Sequence, residues 1–210
     1  MFSLSRVRHA YAGVEALRLE RFAGAQGEHW LVLGPSGCGK STLLHLLAGL
    51  LRPLEGEIEV AGARLDRMNE AARDRWRGRS VGIVPQRLHL LASLNLQDNL
   101  LLAQYAADLP QRGGRVREVL ERVGLAGRAD AYPHQLSHGQ AQRAAVARAV
   151  VNRPGVLLAD EPTSNLDDAN CAQALDLLEG EARECGATLV IATHDRRARE
   201  RFARQLTLGA

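Results

Sequence analysis

Short, almost wholly apolar runs recur along the chain and predict buried strands. One run covers residues 29–33, a second covers residues 156–159 and a third covers residues 188–193. Runs of this kind are typical of parallel strands that are covered on both faces. Residues 42–48 instead have a helical pattern that ends at Gly49, which predicts a helix directly after the first strand. The pattern therefore predicts an α/β fold.

The middle of the chain has a helical pattern. Between residues 86 and 151, apolar side chains recur at helix-like spacings, at Leu90, Leu91, Leu94, Leu96, Leu100, Leu101, Leu102, Val116, Val119, Leu120 and Val123. Gly113-Gly114 and residues 124–127 mark internal turns. We expect residues 1–85 and 152–210, which include a strand-like stretch at 206–208, to form one α/β lobe. Residues 86–151 should form an inserted helical lobe of the same single domain.

Composition is that of a protein able to form one good core, since 46% of the 210 residues are hydrophobic. No apolar stretch approaches the roughly 20 residues that span a bilayer. The first six residues lack a signal-peptide core, so we expect the protein to remain in the cytoplasm. The three cysteines, Cys38, Cys171 and Cys185, have neither metal-ligand nor disulfide spacing.

The chain is only mildly basic, with a formal net charge of +3. Arginines concentrate in residues 196–204, for which we predict a helix with a solvated face. Contact of this face with anionic lipid is a less favoured interpretation. Aromatic residues make up 4% of the chain and none lies among these arginines, so we expect no nucleic-acid partner.

The strongest chemical signal lies between the first strand and the first helix. Eight residues match the P-loop pattern GxxxxGK followed by Ser or Thr, and with the first helix residue they form the predicted nucleotide-binding set: Gly34, Pro35, Ser36, Gly37, Cys38, Gly39, Lys40, Ser41 and Thr42. Backbone N–H groups of such a loop surround phosphate oxygens, the Lys reaches the outer phosphates and the Ser hydroxyl can ligate Mg²⁺. A chance glycine-rich turn is disfavoured by the Lys-Ser pair and by the strand–helix context.

Two adjacent carboxylates follow the apolar run at residues 156–159. Asp160 and Glu161 would lie at the carboxyl end of a strand, where open α/β sheets bind ligands. Asp160 can hold Mg²⁺ through its water shell, and Glu161 can polarise the water that attacks a γ-phosphate. The alternative is a solvated acidic pair, which becomes improbable after this P-loop.

A third motif distinguishes among P-loop proteins. Residues 136–140 read LSHGQ and precede an alanine-rich helical segment. They resemble the LSGGQ signature of ABC-type ATPases, which implies that Ser137, His138, Gly139 and Gln140 contact the γ-phosphate of a nucleotide held by a second copy of the chain. A purely local interpretation is also possible, since Ser137 and Gln140 can form a capping box. The two interpretations are compatible.

The resemblance extends in family order over nearly the whole chain. Tyr11 matches the aromatic residue that stacks on adenine, and Gln86 matches the Q-loop glutamine, which contacts Mg²⁺ and senses the membrane partner. Residues 164–167 resemble the D-loop, which crosses the dimer interface. His194 matches the switch histidine, which holds the γ-phosphate and the attacking water in line. Each of these residues taken alone has a more ordinary explanation, such as packing for Tyr11.

Two positions depart from the family pattern. His138 replaces a glycine, which changes the energetics of nucleotide contact if its imidazole faces the γ-phosphate and changes little if it points to solvent. Pro85 replaces an aromatic residue that often precedes the Q-loop glutamine, which affects coupling to the partner more than the chemistry.

The resemblance implies a P-loop NTPase (RecA-like) ABC ATPase core with an inserted helical subdomain. It would bind ATP and Mg²⁺, act as a homodimer and drive a separate membrane permease from the cytoplasmic face of the inner membrane. Compact length and residues 90–100 resemble the lipoprotein-release and macrolide-export group, with a solute importer as the nearest alternative. A soluble ABC ATPase of DNA repair or translation lacks support because the chain has no long coiled-coil insertion or second cassette. A nucleotide kinase is opposed by the signature.

Overall fold

A computed structural model describes residues 1–164 and 166–209 of the chain. Its centre is a parallel sheet of five strands: β3 (Trp30–Leu33), β6 (Val81–Val84), β7 (Val156–Asp160), β8 (Thr188–Thr193) and β9 (Arg204–Thr207). The strand order is β6-β7-β8-β3-β9. The three apolar runs form β3, β7 and β8, so the predicted strands and the α/β class are confirmed. The strand predicted at residues 206–208 begins earlier, at Arg204.

A second sheet, not predicted from the sequence, is antiparallel. It contains β1 (Phe2–Tyr11), β2 (Val14–Gly24), β4 (Glu55–Val60) and β5 (Ala63–Arg64), in the order β2-β1-β4-β5. Leu4 at its centre faces Phe22 on one neighbouring strand and Ile58 on the other. All three side chains are buried, which is the alternation expected when one face of a sheet covers a core.

Six α-helices complete the described fold: α1 (Lys40–Leu47), α2 (Glu70–Ser80), α3 (Leu96–Ala106), α4 (Gly113–Arg122), α5 (His138–Val150) and α6 (Asp168–Cys185). Side chains at the N-caps fix where four of them begin, because Asn69, Asn95, Ser137 and Asp167 each accept a backbone N–H from the first turn. The helix predicted for residues 196–204 is wrong in part, since residues Arg196–Arg201 form a 3₁₀ helix and the chain then enters β9.

The parallel sheet is covered on both faces, as its apolar strands require. Along β3, Val32 packs into a cluster with α1 and the antiparallel sheet. Leu31 and Leu33 pack into the opposite cluster with α3, α4, α5 and α6. The helices of residues 86–151 thus share one core with the sheet, while the division into two lobes stays a prediction.

Helix α5 approaches the sheet closely at Gly82 of β6. A Cβ at this position would lie 2.3 Å from the carbonyl oxygen of Ala149, so only glycine allows the two backbones to approach so closely. Among residues 1–164 and 166–209, no helix has both the length and the apolar character needed to cross a membrane.

Candidate functional site

The predicted phosphate loop connects β3 to α1, as the sequence pattern indicated. Gly39 immediately precedes the helix with a φ of 98°, in the left-handed region that glycine tolerates. A Cβ on Gly39 would lie 2.4 Å from the carbonyl oxygen of Ala16, so the loop also approaches β2 closely. The backbone geometry requires glycine at this position, and the N-terminus of α1 points its free N–H groups toward the loop.

Lys40 connects the loop to the catalytic carboxylate predicted from the sequence. Its side chain is 6% exposed, and Nζ donates to the carbonyl oxygens of Gly34 at 2.8 Å and Pro35 at 3.0 Å. The same Nζ lies 3.5 Å from Glu161 Oε1. A nearly buried ammonium group with these neighbours provides the positive charge that phosphate oxygens need.

Asp160 ends β7 with one carboxylate oxygen, Oδ1, buried and without a hydrogen-bond partner in the described part of the chain. Burial raises the pKa of this carboxyl group, and the neighbouring Ser41 hydroxyl offsets part of that effect. An unpartnered carboxylate oxygen beside a serine hydroxyl fits Mg²⁺, which commonly takes one or two carboxylates together with substrate phosphate oxygens. The donor set of Ser41 and Asp160 is therefore compatible with a magnesium ion.

Glu161 has an unusual backbone conformation, with a φ of 47°. Left-handed geometry is uncommon outside glycine and often marks functional sites. The Glu161 N–H donates to the carbonyl oxygen of Ala192 on β8 at 2.8 Å. This bond forms because β7 and β8 are neighbours, with Asp160 paired to Ala192.

The Glu161 carboxylate is held by the end of β8. The Thr193 hydroxyl donates to Oε2 at 2.9 Å, and Nδ1 of His194 lies 3.0 Å from Oε1. Burial alone would raise the pKa of Glu161, but the hydrogen bonds from His194 and Thr193 and the charge of Lys40 together lower it. Glu161 is therefore kept as a carboxylate, the form that can orient and accept a proton from water.

Seven predicted nucleotide-binding residues and three predicted catalytic residues line one open cleft of about 410 Å³: Tyr11, Ser36, Gly37, Gly39, Lys40, Ser41 and Thr42, together with Gln86, Glu161 and His194. Tyr11 is 48% exposed, and its hydroxyl lies 3.5 Å from Thr42 Oγ1. A ring of this exposure can stack on a base. A second cleft of about 450 Å³ is lined by Arg112, Asn152 and neighbouring residues, none of which belongs to the predicted site.

The signature residues lie outside this cleft. The Ser137 hydroxyl accepts the Gln140 N–H at 3.3 Å, and Gln140 Oε1 accepts the Ser137 N–H at 3.0 Å, which confirms the capping box. Ser137, His138 and Gly139 are exposed. His138 instead lines a neighbouring cleft of about 340 Å³ together with Gln86 and Glu161. The structure thus leaves the start of α5 accessible to another molecule.

Three residues at the site had not been selected from the sequence. Thr193 holds Glu161, and its position at the strand end before His194 was the available signal. Arg197 donates to the Leu166 carbonyl oxygen at 3.1 Å and to Asp168 at 2.7 Å, which ties the predicted D-loop to the segment after His194. Gln142 on α5 lines the cleft of about 340 Å³, and no sequence pattern indicated a role for it. The predicted D-loop also includes Asn165, which lies outside the described residues.

The chain is similar to known ATP-binding proteins of ABC transporters. The family model described as "ABC transporter" matches residues 21–164. An uncharacterized ABC transporter ATP-binding protein of Thermotoga maritima is 44% identical over 184 residues, covering 87% of this chain and 78% of that protein. The lipoprotein-releasing system ATP-binding protein LolD of Xanthomonas campestris is 42% identical over 186 residues, covering 88% and 78%.

Solved structures of the ABC transporter cassette MJ0796 have a similar fold. Its dimeric structure has a TM-score of 0.89 at 31% identity and covers 99% of this chain and 94% of that one. A dimeric post-hydrolysis state of the same cassette, bound to ADP and phosphate, has a TM-score of 0.88 at 30% identity and the same coverage.

Proposed function

This chain belongs to the ABC transporter ATP-binding family, and we propose that its site hydrolyses Mg-ATP between two copies of the chain to drive a membrane permease. The observation that carries this proposal is the single cleft that contains Lys40, Glu161 and His194. It combines a phosphate-binding loop, a carboxylate kept ionised and a histidine beside it. These are the parts that phosphoryl transfer to water requires.

Nucleotide binding begins with the loop between β3 and α1. Its backbone N–H groups and the α1 N-terminus surround the phosphates, while Lys40 exchanges its contact with Glu161 for the outer phosphate oxygens. Tyr11 stacks on the base. Ser41, Asp160 and Gln86 would hold a magnesium ion. When bound, it would neutralise part of the phosphate charge.

Hydrolysis depends on Glu161. Its carboxylate orients a water molecule and accepts a proton from it as the water oxygen bonds to the γ-phosphorus. The bond from phosphorus to the oxygen shared with the β-phosphate breaks, which yields ADP and phosphate. His194 holds the γ-phosphate and the water in line, and Lys40 stabilises the charge on the transferring group.

The exposed start of α5 supplies the second half of each site. Ser137, His138, Gly139 and Gln140 of one copy face the γ-phosphate held by the other copy, where the helix N-terminus favours negative charge. ATP provides contacts across this interface that ADP does not. The difference in affinity shifts the pair toward the closed state, and hydrolysis releases it.

The permease contact follows the Q-loop. Leu91 is 46% exposed, and the buried Asn99 fixes the loop around it by donating to the carbonyl oxygens of Leu91, Leu94 and Asn95. An apolar side chain on a rigid loop suits docking to a partner. The relatives named LolD favour a lipoprotein-releasing system over an importer, with the protein peripheral on the cytoplasmic face of the membrane.

Replacement of Lys40 by alanine tests the binding step. The change removes the cation nearest the phosphates, so we expect ATP affinity to fall by at least about tenfold, or about 1.4 kcal/mol, together with phosphate release. Fluorescent ATP titration and a phosphate-release assay measure the two effects. An unchanged ATP affinity would contradict the assigned role of the loop.

Replacement of Leu91 by serine tests the partner contact. Basal ATP hydrolysis should persist because Leu91 lies outside the cleft, while copurification with the permease and stimulation by it should fall. Leu102, an exposed residue on α3, provides a matched control as Leu102→Ser. Tight binding to DNA or ribosomes, with no retention by membranes, would favour the soluble ABC ATPase instead.

A further inference from the structure

A buried glutamine joins the signature helix to the catalytic segment of the same chain. Gln142 on α5 is 9% exposed, and its Nε2 donates to the carbonyl oxygen of Pro162 at 2.6 Å. Pro162 directly follows Glu161, and Gln142 lies five residues beyond Ser137, about 7.5 Å along a helix. The contact therefore connects the start of α5, which is predicted to bind the partner's nucleotide, with Glu161, which is predicted to act on the nucleotide of its own chain.

The short backbone segment from the Glu161 N–H to the Pro162 carbonyl group determines where the Glu161 carboxylate points. Glu161 has a left-handed backbone, a conformation that persists only when the surroundings impose it. Its N–H is bonded to Ala192 on the sheet side, and the carbonyl group of the next residue is bonded to Gln142 on the helix side. A displacement of α5 relative to the sheet must therefore act on this turn.

The space around the contact also connects the two functions. The cleft of about 340 Å³ beside it is lined by Gln86, His138, Gln142, Glu161 and Ser164. Since a helix behaves as a rigid rod over so short a length, movement at His138 reaches Gln142 with little loss. The turn that holds Glu161 is thus in direct contact with the helix whose first residues meet the partner.

We propose that Gln142 is a positioning residue that aligns Glu161 according to whether the start of α5 in the same chain is engaged by the partner's nucleotide. This inference rests on the proposed ATP-sandwich function. Hydrolysis at each site then depends on the nucleotide in the other site. The reason is that α5 of each copy contacts the nucleotide held by the partner and also positions the Glu161 that acts on the copy's own nucleotide.

Two variants separate positioning from simple support of the fold. Gln142→Met keeps the length of the side chain and removes the donor, so we expect kcat to fall about tenfold or more, since small misplacement of a catalytic group is costly. ATP affinity and the thermal unfolding midpoint should change little. A wild-type kcat, or losses of affinity and stability that match the loss of kcat, would overturn the assignment.

The second variant, Gln142→Glu, restores a donor only when its carboxyl group is protonated. Burial favours the neutral form of such a group. Its kcat relative to wild type should therefore rise as pH is lowered from 8 to 6, while Gln142→Met shows no such recovery. A ratio that does not change with pH would contradict a role for the hydrogen bond.

Mixed dimers test the direction of the effect. Two differently tagged copies are coexpressed and purified through both tags, with Glu161→Gln disabling one site. In the first dimer, Gln142→Met lies in the copy with intact Glu161, and activity should fall about tenfold relative to a dimer of wild type and Glu161→Gln. In the second dimer, Gln142→Met lies in the disabled copy, and activity should match that reference.

The reverse result would mean that Gln142 acts across the interface through the signature, and equal losses would mean general support of the fold. Either result overturns the inference. Failure of the proposed function is distinguishable, because in that case the wild-type homodimer itself releases no phosphate from Mg-ATP.

Discussion

In the phosphate loop, alanine at Gly39 should lower the free energy of unfolding far more than alanine at Gly37. At Gly39, φ is 98°, and a Cβ would lie 2.4 Å from the Ala16 carbonyl oxygen and 3.2 Å from Leu17 Cδ1. Left-handed geometry costs an L-residue about 1–2 kcal/mol. An extra methyl group forced into packed surroundings costs about 1–3 kcal/mol more. Gly39→Ala should therefore lower the free energy of unfolding by about 2–5 kcal/mol.

Gly37→Ala is the matched control within the same loop. Its φ is 81°, but no described atom lies within 4 Å of a Cβ at that position. It should therefore carry only the conformational cost of about 1–2 kcal/mol. Urea unfolding of both variants without nucleotide, followed by circular dichroism, measures the difference. Equal losses for the two variants would refute the close contact between the loop and β2.

Substitutions at Gly82, Asp195 and Thr193 test three further contacts. Gly82→Ala should destabilise the protein by about 1–3 kcal/mol because it forces α5 away from the sheet. Gly180→Ala, in an open position inside α6, should stabilise it by up to about 1 kcal/mol. Urea unfolding compares the two variants, and changes of the same sign in the free energy of unfolding would contradict the close packing of α5 on Gly82. A hydrogen bond from Arg197 holds the pKa of Asp195 below its ordinary 3.8. Ionised Asp195 therefore stabilises the fold above that value, and this stabilisation is lost as pH falls through the lowered pKa. Between pH 7 and 3, the free energy of unfolding should decline less steeply for Asp195→Asn than for wild type, and parallel declines would count against a stabilising role of Asp195. Thr193→Val removes a hydrogen bond that lowers the pKa of Glu161, so the acid limb of the kcat–pH profile should move to higher pH and Thr193→Ser should restore it.

The parts of the site that were predictable from sequence are those built from consecutive residues. The phosphate loop and the capping box of Ser137 and Gln140 each lie within eight positions, and their chemistry depends mainly on local backbone geometry. The apolar runs predicted β3, β7 and β8 for a similar reason, because burial on both faces leaves a continuous signal.

Contacts between distant segments were not predictable in the same way. The hydrogen bonds of Glu161 with Thr193 and His194 require β7 and β8 to be neighbours, and strand order is not encoded by any local pattern. The contact of Gln142 with Pro162 is of the same kind. The strand-end position of Glu161 predicted its role and the family resemblance predicted that of His194, but neither predicted the hydrogen bonds that hold these residues.

The arginine-rich segment shows tertiary contacts overriding a local pattern. Its residues favour helix by propensity, but Arg201 pairs with Asp176 and Glu179 of α6, and the chain must extend at Arg204 to pair with β3. A short 3₁₀ helix satisfies both requirements. By contrast, the antiparallel sheet was missed although buried Phe2 and Leu4 alternate with serines in β1, a pattern that the sequence shows.

The central claim is that Glu161 activates water in an ATP-bound dimer, and Glu161→Gln tests it most directly. The amide keeps the shape of the side chain but cannot accept the proton, so hydrolysis should fall by at least about 100-fold while ATP affinity remains nearly unchanged. Size-exclusion chromatography with light scattering in Mg-ATP should then detect a stable dimer that dissociates in Mg-ADP. Normal hydrolysis by the variant, or a monomer at every protein concentration in Mg-ATP, would contradict the account.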